Sequence, residues 1–592
     1  MMAVIMAVQA SAIAETKLVH IEAANFALGP NVSAPDGTDV LQFVLDPKSS
    51  IPFNQSNIKQ DDAVALRGPD PKTPYFTVRF AMPIPPENAK SECAAFTGID
   101  PMVFTHNHSP GFEILPNGDA LAIYFSTPPG KAEADPSTSF IQARLRYGSE
   151  EWDMPELFFK TKNYNDQSAL LWNDHGKIWF FGGGRKISDS IPFRIATSSD
   201  NGASWTFSIP QLDKPATLYE AQPITSAFRG ADNAIYFAMD GHSASSFLWR
   251  STDDGLHWHD MGGRTDARHS TVVPLDNTGK LLYIGGKNNN VDHWNPEGTS
   301  SDYGATWSKS TASHFPVLGS GQRPSLIRLA SGNLLYVTDS YLHKLKRPAE
   351  AGWQYGDKCV AALSSDNGNT WHIKPLPVQV GGNSRAEHPT LGYVTARQAP
   401  NGTIHVLTTV TQPCLDYEFN EAWIISDAGD ITPEKTGGTT QSFSENFPNG
   451  KPRSAWSARI TPAGRYLLDG QELDYYDNGQ RQHHVTYADG RKTGEESFWS
   501  PDGKLLWQWQ HNLSANRATW THYFPNGNKK SESSWNTYPV AATTDRHFFG
   551  YVADGPAVEW DETGKQIASH IFTNGTLPNE PKATTTPEAP AE

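Results

Sequence analysis

The chain has 592 residues, 38% of them hydrophobic and 19% charged, and carries a formal net charge of −16. That length gives material for several domains or one large repeat body, with a core that needs neither disulfides nor a structural metal. The negative field disfavours nucleic acid and anionic membrane surfaces, so an anionic ligand has to be held by a local cluster of Arg or His.

In chain order, Met1 to Glu15 reads as a secretory signal, with a short apolar run and a small-x-small pattern at Ala12-Ile13-Ala14. This predicts a secreted or periplasmic protein, although no basic residues precede the apolar run and an apolar first strand is the alternative. Residues 16–72 are polar and predict an N-terminal β extension. No apolar run reaches 18 residues, so no transmembrane helix is predicted. The 48 Gly, 43 Pro and 18 Trp suit an all-β, turn-rich fold. Cys93, Cys359 and Cys414 show no zinc-like spacing, and no cofactor or metal is implied.

One octapeptide recurs along the middle of the chain. It runs Ser198 to Trp205, Ser251 to Trp258, Ser300 to Trp307 and Ser364 to Trp371, with a decayed copy ending at Trp152. In each full copy Asp can accept backbone N–H groups of its own turn, Gly supplies a positive φ, and Trp packs between strands. These aspartates are read as structural. A second register comes from turn glycines that follow apolar runs at Gly118, Gly176, Gly230, Gly279, Gly332 and Gly402. Their spacing fits one four-stranded blade each. Six blades are predicted over His106 to Ile425, with Tyr75–Ala81 closing the last blade or opening a seventh. The pattern resembles the Asp-box of the sialidase (neuraminidase) superfamily of BNR-repeat β-propellers, over residues 73–430.

From about Ser442, aromatic strands alternate with N-G or D-G turns, as in ENFPNGK, DYYDNGQ, FWSPDGK and HYFPNGN. Residues 440–576 resemble MORN-like β-hairpin repeats, read either as a spacer or as a glycan- or surface-binding module. Residues 577–592 have the composition of a disordered tail.

The blade register points to a site. Ten residues before each turn glycine stand His108, Asp166, Glu220, His269, Gln322 and Gly392, and the next slot holds Ser109, Gln167, Ser270, Arg323 and Tyr393 in blades one, two, four, five and six. A structural slot would hold Val, Ala or Thr instead. His106, Asn107 and His108 open the first blade and are candidates for the channel. Arg268, His269 and Arg323 are candidates for a cationic pocket, where Arg suits a planar carboxylate. Arg397, Asp166 and Gln322 complete the candidate binding set. The resemblance implies a Tyr nucleophile on the last blade, matched by Tyr393, and an Asp acid/base in the loop after the first inner hairpin, matched by Asp135. The Arg-Ile-Pro motif of sialidases is missing, since the corresponding segment reads His106-Asn107-His108-Ser109-Pro110.

Three functions stand open. The first is a sialidase-like glycoside hydrolase acting on an acidic oligo- or polysaccharide, with Tyr393 activated by an acid such as Glu220 and Asp135 or a His as proton donor. The second is a polysaccharide lyase that cleaves at a uronic acid by His/Tyr chemistry. The third is a non-catalytic glycan-binding propeller. Nothing in the sequence fixes the oligomeric state.

Overall fold

The computed structural model describes residues 19–22, 58–82 and 97–577, apart from 101, 105, 129, 162–163, 185–191, 209, 215–218, 320, 341–351, 383–384, 412, 432–436 and 541–545. The candidate signal, Cys93 and the tail beyond residue 577 lie outside the described residues, as do most of residues 16–57.

Six blades form a ring of antiparallel sheets. Blade I contains His106–Ile114, Ala120–Thr127, Ser139–Leu145 and Glu156–Phe159; blade II contains Gln167–Asp174, Lys177–Gly183, Arg194–Ser198 and Ser204–Ser208. Blade III runs from Tyr219–Arg229 to His257–Asp260, blade IV from Thr271–Pro274 to Thr311–Pro316, and blade V from Ser325–Arg328 to His372–Pro375. Blade VI contributes Thr395–Gln398, Ile404–Leu407 and Leu415–Phe419, and its fourth strand is Phe76–Phe80, paired in register from Phe76 opposite Phe419 to Phe80 opposite Leu415. A strand from before blade I thus closes the ring within blade VI, and no seventh blade is built from it. Val19–Glu22 adds a fifth strand to the outer edge of blade II.

The octapeptides lock neighbouring blades together. In blade II, Asp200 Oδ1 accepts the Ser204 N–H at 2.9 Å, and Ser198 Oγ accepts the Gly202 N–H at 2.9 Å. The same bonds recur at Asp302 and Asp366. The box glycines have φ of 76 to 92°, and each also faces the blade before it. A Cβ on Gly202, Gly255, Gly304 or Gly368 would lie within 2.6–2.9 Å of Arg144, Trp179, Leu248 or Leu282 respectively. Both the turn and the blade contact therefore require glycine.

Buried aromatic and aliphatic clusters fill the space between blades, such as Phe140, Phe158, Phe159, Phe180, Trp205 and Phe207 between blades I and II. Residues 439–572 form one ten-stranded antiparallel sheet. Its inner face carries Phe498, Trp507, Trp509, Trp520 and Trp535, which share a core with Phe112, Ala122, Ile141 and Trp152 of blade I. Buried ion pairs fix this seam, among them Arg465 to Glu150 at 2.5 Å and Lys492 to Asp153 at 3.1 Å. Among the described residues, no helix is long and apolar enough to cross a membrane.

Candidate active site at the hub

The innermost strands bend where they reach the hub. Pairing slips between His108 and Gly111 in blade I and between Gln167 and Ala169 in blade II. Ser109, Ser168 and His269 adopt φ of 49, 57 and 59°, a left-handed conformation that is strained for side-chain-bearing residues. Bulges of this kind re-aim side chains. Here they bring the candidate slot of several blades to one place. Arg323 and Tyr393 form an isolated parallel bridge between blades V and VI, with Arg323 N–H donating to the Gly392 carbonyl and Val394 N–H to the Arg323 carbonyl.

Tyr393 is the centre of the cluster. Its phenol oxygen lies 2.8 Å from His269 Nε2 and accepts from Lys287 Nζ at 2.7 Å. The His108 ring packs against it with centroids 3.9 Å apart, and the Arg323 guanidinium stands 5.1 Å from its ring centroid. His269 Nδ1 lies 2.7 Å from Asp240 Oδ2, at the end of the second strand of blade III. Asp240 also accepts the His269 backbone N–H at 2.9 Å and Arg268 Nε at 3.0 Å. Burial opposes the charge on Asp240, but His269 and Arg268 outweigh it and hold the carboxyl well below the usual carboxylate range. Burial pushes the His269 imidazole down to about 3 against the pull of Asp240, and Lys287 and Arg268 lower it further. A neutral His269 whose Nδ1 faces Asp240 keeps a lone pair on Nε2 for the Tyr393 hydroxyl 2.8 Å away. The result is an Asp–His–Tyr relay with an ammonium on the phenol oxygen.

A second group lies at the rim. His106 Nε2 is 2.9 Å from Glu133 Oε1, and Gln167 Nε2 donates to Glu133 Oε2 at 2.9 Å. Burial works against the Glu133 charge, yet the His106 hydrogen bond, with His108 and Lys287 nearby, draws its pKa down to about 2. His108 is kept neutral mainly by burial, with His106, Lys287 and Arg323 adding to the effect against Glu133. Burial brings Arg323 down to about 10, which leaves it charged at neutral pH. Its NH1 donates to Ser109 Oγ and its NH2 to the Pro110 carbonyl, both at 3.1 Å.

Several candidates from the sequence stand elsewhere. Asp166 is fully buried and ion-paired to Lys160 and Arg194 at 3.2 Å each, so it ties blade I to blade II. Arg397 lies deeper on the axis, paired to Glu113 at 3.0 Å and donating to the carbonyls of Ala396, Leu171 and Thr225. Asp135 caps its own turn by accepting Ser137 N–H at 2.9 Å, and it is Glu133, two residues earlier in the loop, that meets the histidines. Asn107 donates to the Phe104 carbonyl at 2.6 Å and braces its strand. Gln322 donates to Thr390 Oγ1 at 3.4 Å, behind the cluster rather than in it. Arg268 borders the cluster through Asp240 and also donates to Gln222 Oε1 at 2.9 Å. The backbone of Glu220 lies on the first strand of blade III, but its side chain is outside the described residues.

Asp240, Lys287 and Glu133 are absent from the sequence-based set because they lie on second-strand ends and loops, outside the slot that the register samples. Gly285-Gly286 before Lys287 was the available signal. A Cβ on Gly286 would sit 2.5 Å from the Arg268 carbonyl, and this close approach lets Lys287 and Arg268 exchange backbone hydrogen bonds. Among the described residues one trio has metal-ligand spacing, Glu472, Asp474 and His483 in the C-terminal sheet. Lys59 already pairs with Glu472 at 2.7 Å. His483 bridges Asp474 and Glu496, and although burial opposes its charge the two carboxylates raise its pKa. Internal cations therefore occupy that cluster.

Residues 118–406 match the family model described as the BNR repeat-like domain. Over these residues the propeller is similar to a BNR repeat-like domain. No curated protein matches the chain. Among solved structures it is similar to a protein of unknown function from Dyadobacter fermentans, at 16% identity and a TM-score of 0.40, over 58% of this chain and 99% of that one. It is also similar to the intramolecular trans-sialidase from Ruminococcus gnavus in complex with oseltamivir carboxylate, at 13% identity and a TM-score of 0.40, over 57% and 98%. A leech intramolecular trans-sialidase complexed with 2,7-anhydro-Neu5Ac gives 13% and 0.41, over 55% and 70%.

Proposed function

We propose that the propeller cleaves an acidic glycan by hydrolysis, with Tyr393 as the reacting group. The observation that carries this reading is the relay from Asp240 through His269 to the Tyr393 oxygen, with Lys287 on the same oxygen. Phenols are poor nucleophiles until a neighbouring base takes the proton or a cation stabilises the anion, and both devices are present. Tyr393 attacks the anomeric carbon while its proton passes to His269 Nε2 and Asp240 stabilises the imidazolium. The departing sugar oxygen takes a proton from His106, which Glu133 holds at 2.9 Å. Water then displaces the tyrosine from the sugar and gives its proton to His106, and the phenol regains its own proton from His269. Lys287, Arg268 and Arg323 supply the positive charge that an acidic sugar needs within a chain of net charge −16. Secretion or periplasmic location fits a substrate of this kind and belongs to the same proposal.

Elimination at a uronic acid is the second reading, favoured by a specific observation. The phenol oxygen meets an imidazole and an amine and no carboxylate, the His/Tyr pairing that proton abstraction needs. In this route tyrosinate removes the C5 proton, a C4–C5 double bond forms, the C4–O4 bond breaks, and the proton leaves with O4. Product analysis on a panel of acidic polysaccharides decides between the routes. Hydrolysis gives reducing ends without ultraviolet absorbance, whereas elimination gives an absorbing unsaturated uronate. Formation of neither product from any polysaccharide of the panel would end the catalytic proposal.

A further inference from the structure

The outward face of the ten-stranded C-terminal sheet carries a feature that repeats once per hairpin. Tyr475, Trp499, Tyr523 and Trp560 each close the first strand of a hairpin. Each follows a residue that points to the inner face, namely Asp474, Phe498, His522 or Glu559, so strand alternation sets all four aromatics on the outer face. In every case the pairing slips at that residue, between Asp474 and Tyr475, Phe498 and Trp499, His522 and Tyr523, and Glu559 and Trp560. The bulge recurs at the same position of each hairpin and sets the four rings along one edge of the sheet. All four are half-buried, which anchors the ring and leaves part of it open. They occupy every second strand, so neighbours lie roughly 10 Å apart, twice the spacing between paired strands.

Charge follows the same period. A basic residue stands one or two positions after each turn glycine, as Lys451, Arg481, Lys504, Lys529 and Lys565, and all five are exposed. Two of these cations reach the aromatic ring of the next hairpin, Arg481 at 5.6 Å from the Trp499 centroid and Lys529 at 5.7 Å from that of Trp560. Lys504 also pairs with Asp502 at 3.0 Å and Lys529 with Glu532 at 2.5 Å, so among the described residues Lys451, Arg481 and Lys565 are the cations of this row without such a pair. A row of flat rings at a constant step, with basic side chains beside it, matches an extended polymer with sugar faces and negative charges. The step is about the length of two sugars in an extended chain. We propose that this face binds an extended acidic polysaccharide along the four aromatics, each ring stacking on one sugar and the adjacent cation meeting its acidic group. The proposal rests on the same substrate class as the hub reading but uses a separate surface.

Native affinity electrophoresis of the full chain in gels containing alginate tests it. Alginate is expected to retard the wild type, with dextran gels showing no shift. Trp499→Ala combined with Trp560→Ala should weaken retardation at least fivefold. Arg481→Glu with Lys529→Glu, which keeps the rings and guards against a folding artefact, should weaken it similarly. Tyr393→Phe should keep full retardation, which separates this proposal from the hub chemistry. Retardation unchanged in both double variants overturns the assignment. Binding to phosphatidylserine vesicles without retardation by alginate overturns it as well, because it would make the face a membrane surface.

Discussion

Replacing Arg397 by Met separates a structural role from a ligand role at the hub. Its place further along the strand of Tyr393 makes Arg397 a candidate substrate residue, whereas the structure makes it the tie that joins blades VI, I, II and III. Its Nε pairs with buried Glu113 at 3.0 Å, and its NH2 donates to the carbonyls of Leu171 and Thr225 at 2.9 and 3.0 Å. Glu113 already accepts the N–H groups of Asn173 and Ile114, and burial raises its pKa although Arg397 pulls it down. Removing one partner of a buried ion pair costs about 3–5 kcal/mol. The carbonyls that lose a charged donor add about 1 kcal/mol or more, so a total of about 5 kcal/mol is expected. Guanidinium denaturation followed by tryptophan fluorescence measures it. Adding Glu113→Gln removes the stranded charge and keeps an acceptor for Asn173, so the double variant should regain much of the loss. A single variant as stable as the wild type that has lost glycan binding would refute the reasoning and return Arg397 to the substrate.

Two further outcomes follow from the charges and turns. His108, His269 and His522 are buried with pKa values lowered, the last two to about 3. Below pH 6.5 the unfolded chain takes up protons that the folded chain refuses, so each contributes a loss of up to about 1.4 kcal/mol per pH unit as pH falls toward 3. His405 and His483 have raised values and act in the opposite direction, their contribution being lost as pH rises above 6.5. Thermal midpoints should therefore peak near pH 6.5, and His522→Gln should flatten the acid side; an unchanged acid slope counts against the assignment. Asp302→Ala should cost about 1 kcal/mol through the lost turn bonds to Ser300 and Thr306 and leave turnover unaltered, as read from melting curves and kcat/KM.

The ring was legible because its periodicity is written in residues with single uses. A glycine that must both turn and face the preceding blade tolerates few substitutes, so Gly202, Gly255, Gly304 and Gly368 keep their spacing. The slot counted back from the turn glycines found His108, His269, Arg323 and Tyr393, which the structure brings together around one phenol. The same count selected Asp166, and only three dimensions show it neutralised by Lys160 and Arg194. A register along one strand of each blade is blind to groups from other strands. Asp240 ends a second strand, Lys287 follows one, and Glu133 rides a loop held by Asn165 of the next blade. Arg397 shares a strand face with Tyr393, but four residues of rise along the axis carry it out of the cluster.

The most direct test of the hub chemistry is a double-mutant cycle on turnover of the acidic glycan that the product panel selects. His269→Ala and Tyr393→Phe should each abolish most of kcat, and the combined variant should be no slower than Tyr393→Phe alone, because groups that act as one unit lose their effect together. Losses that multiply, or a Tyr393→Phe enzyme that turns over at the wild-type rate, would contradict the relay from Asp240 through His269 to Tyr393.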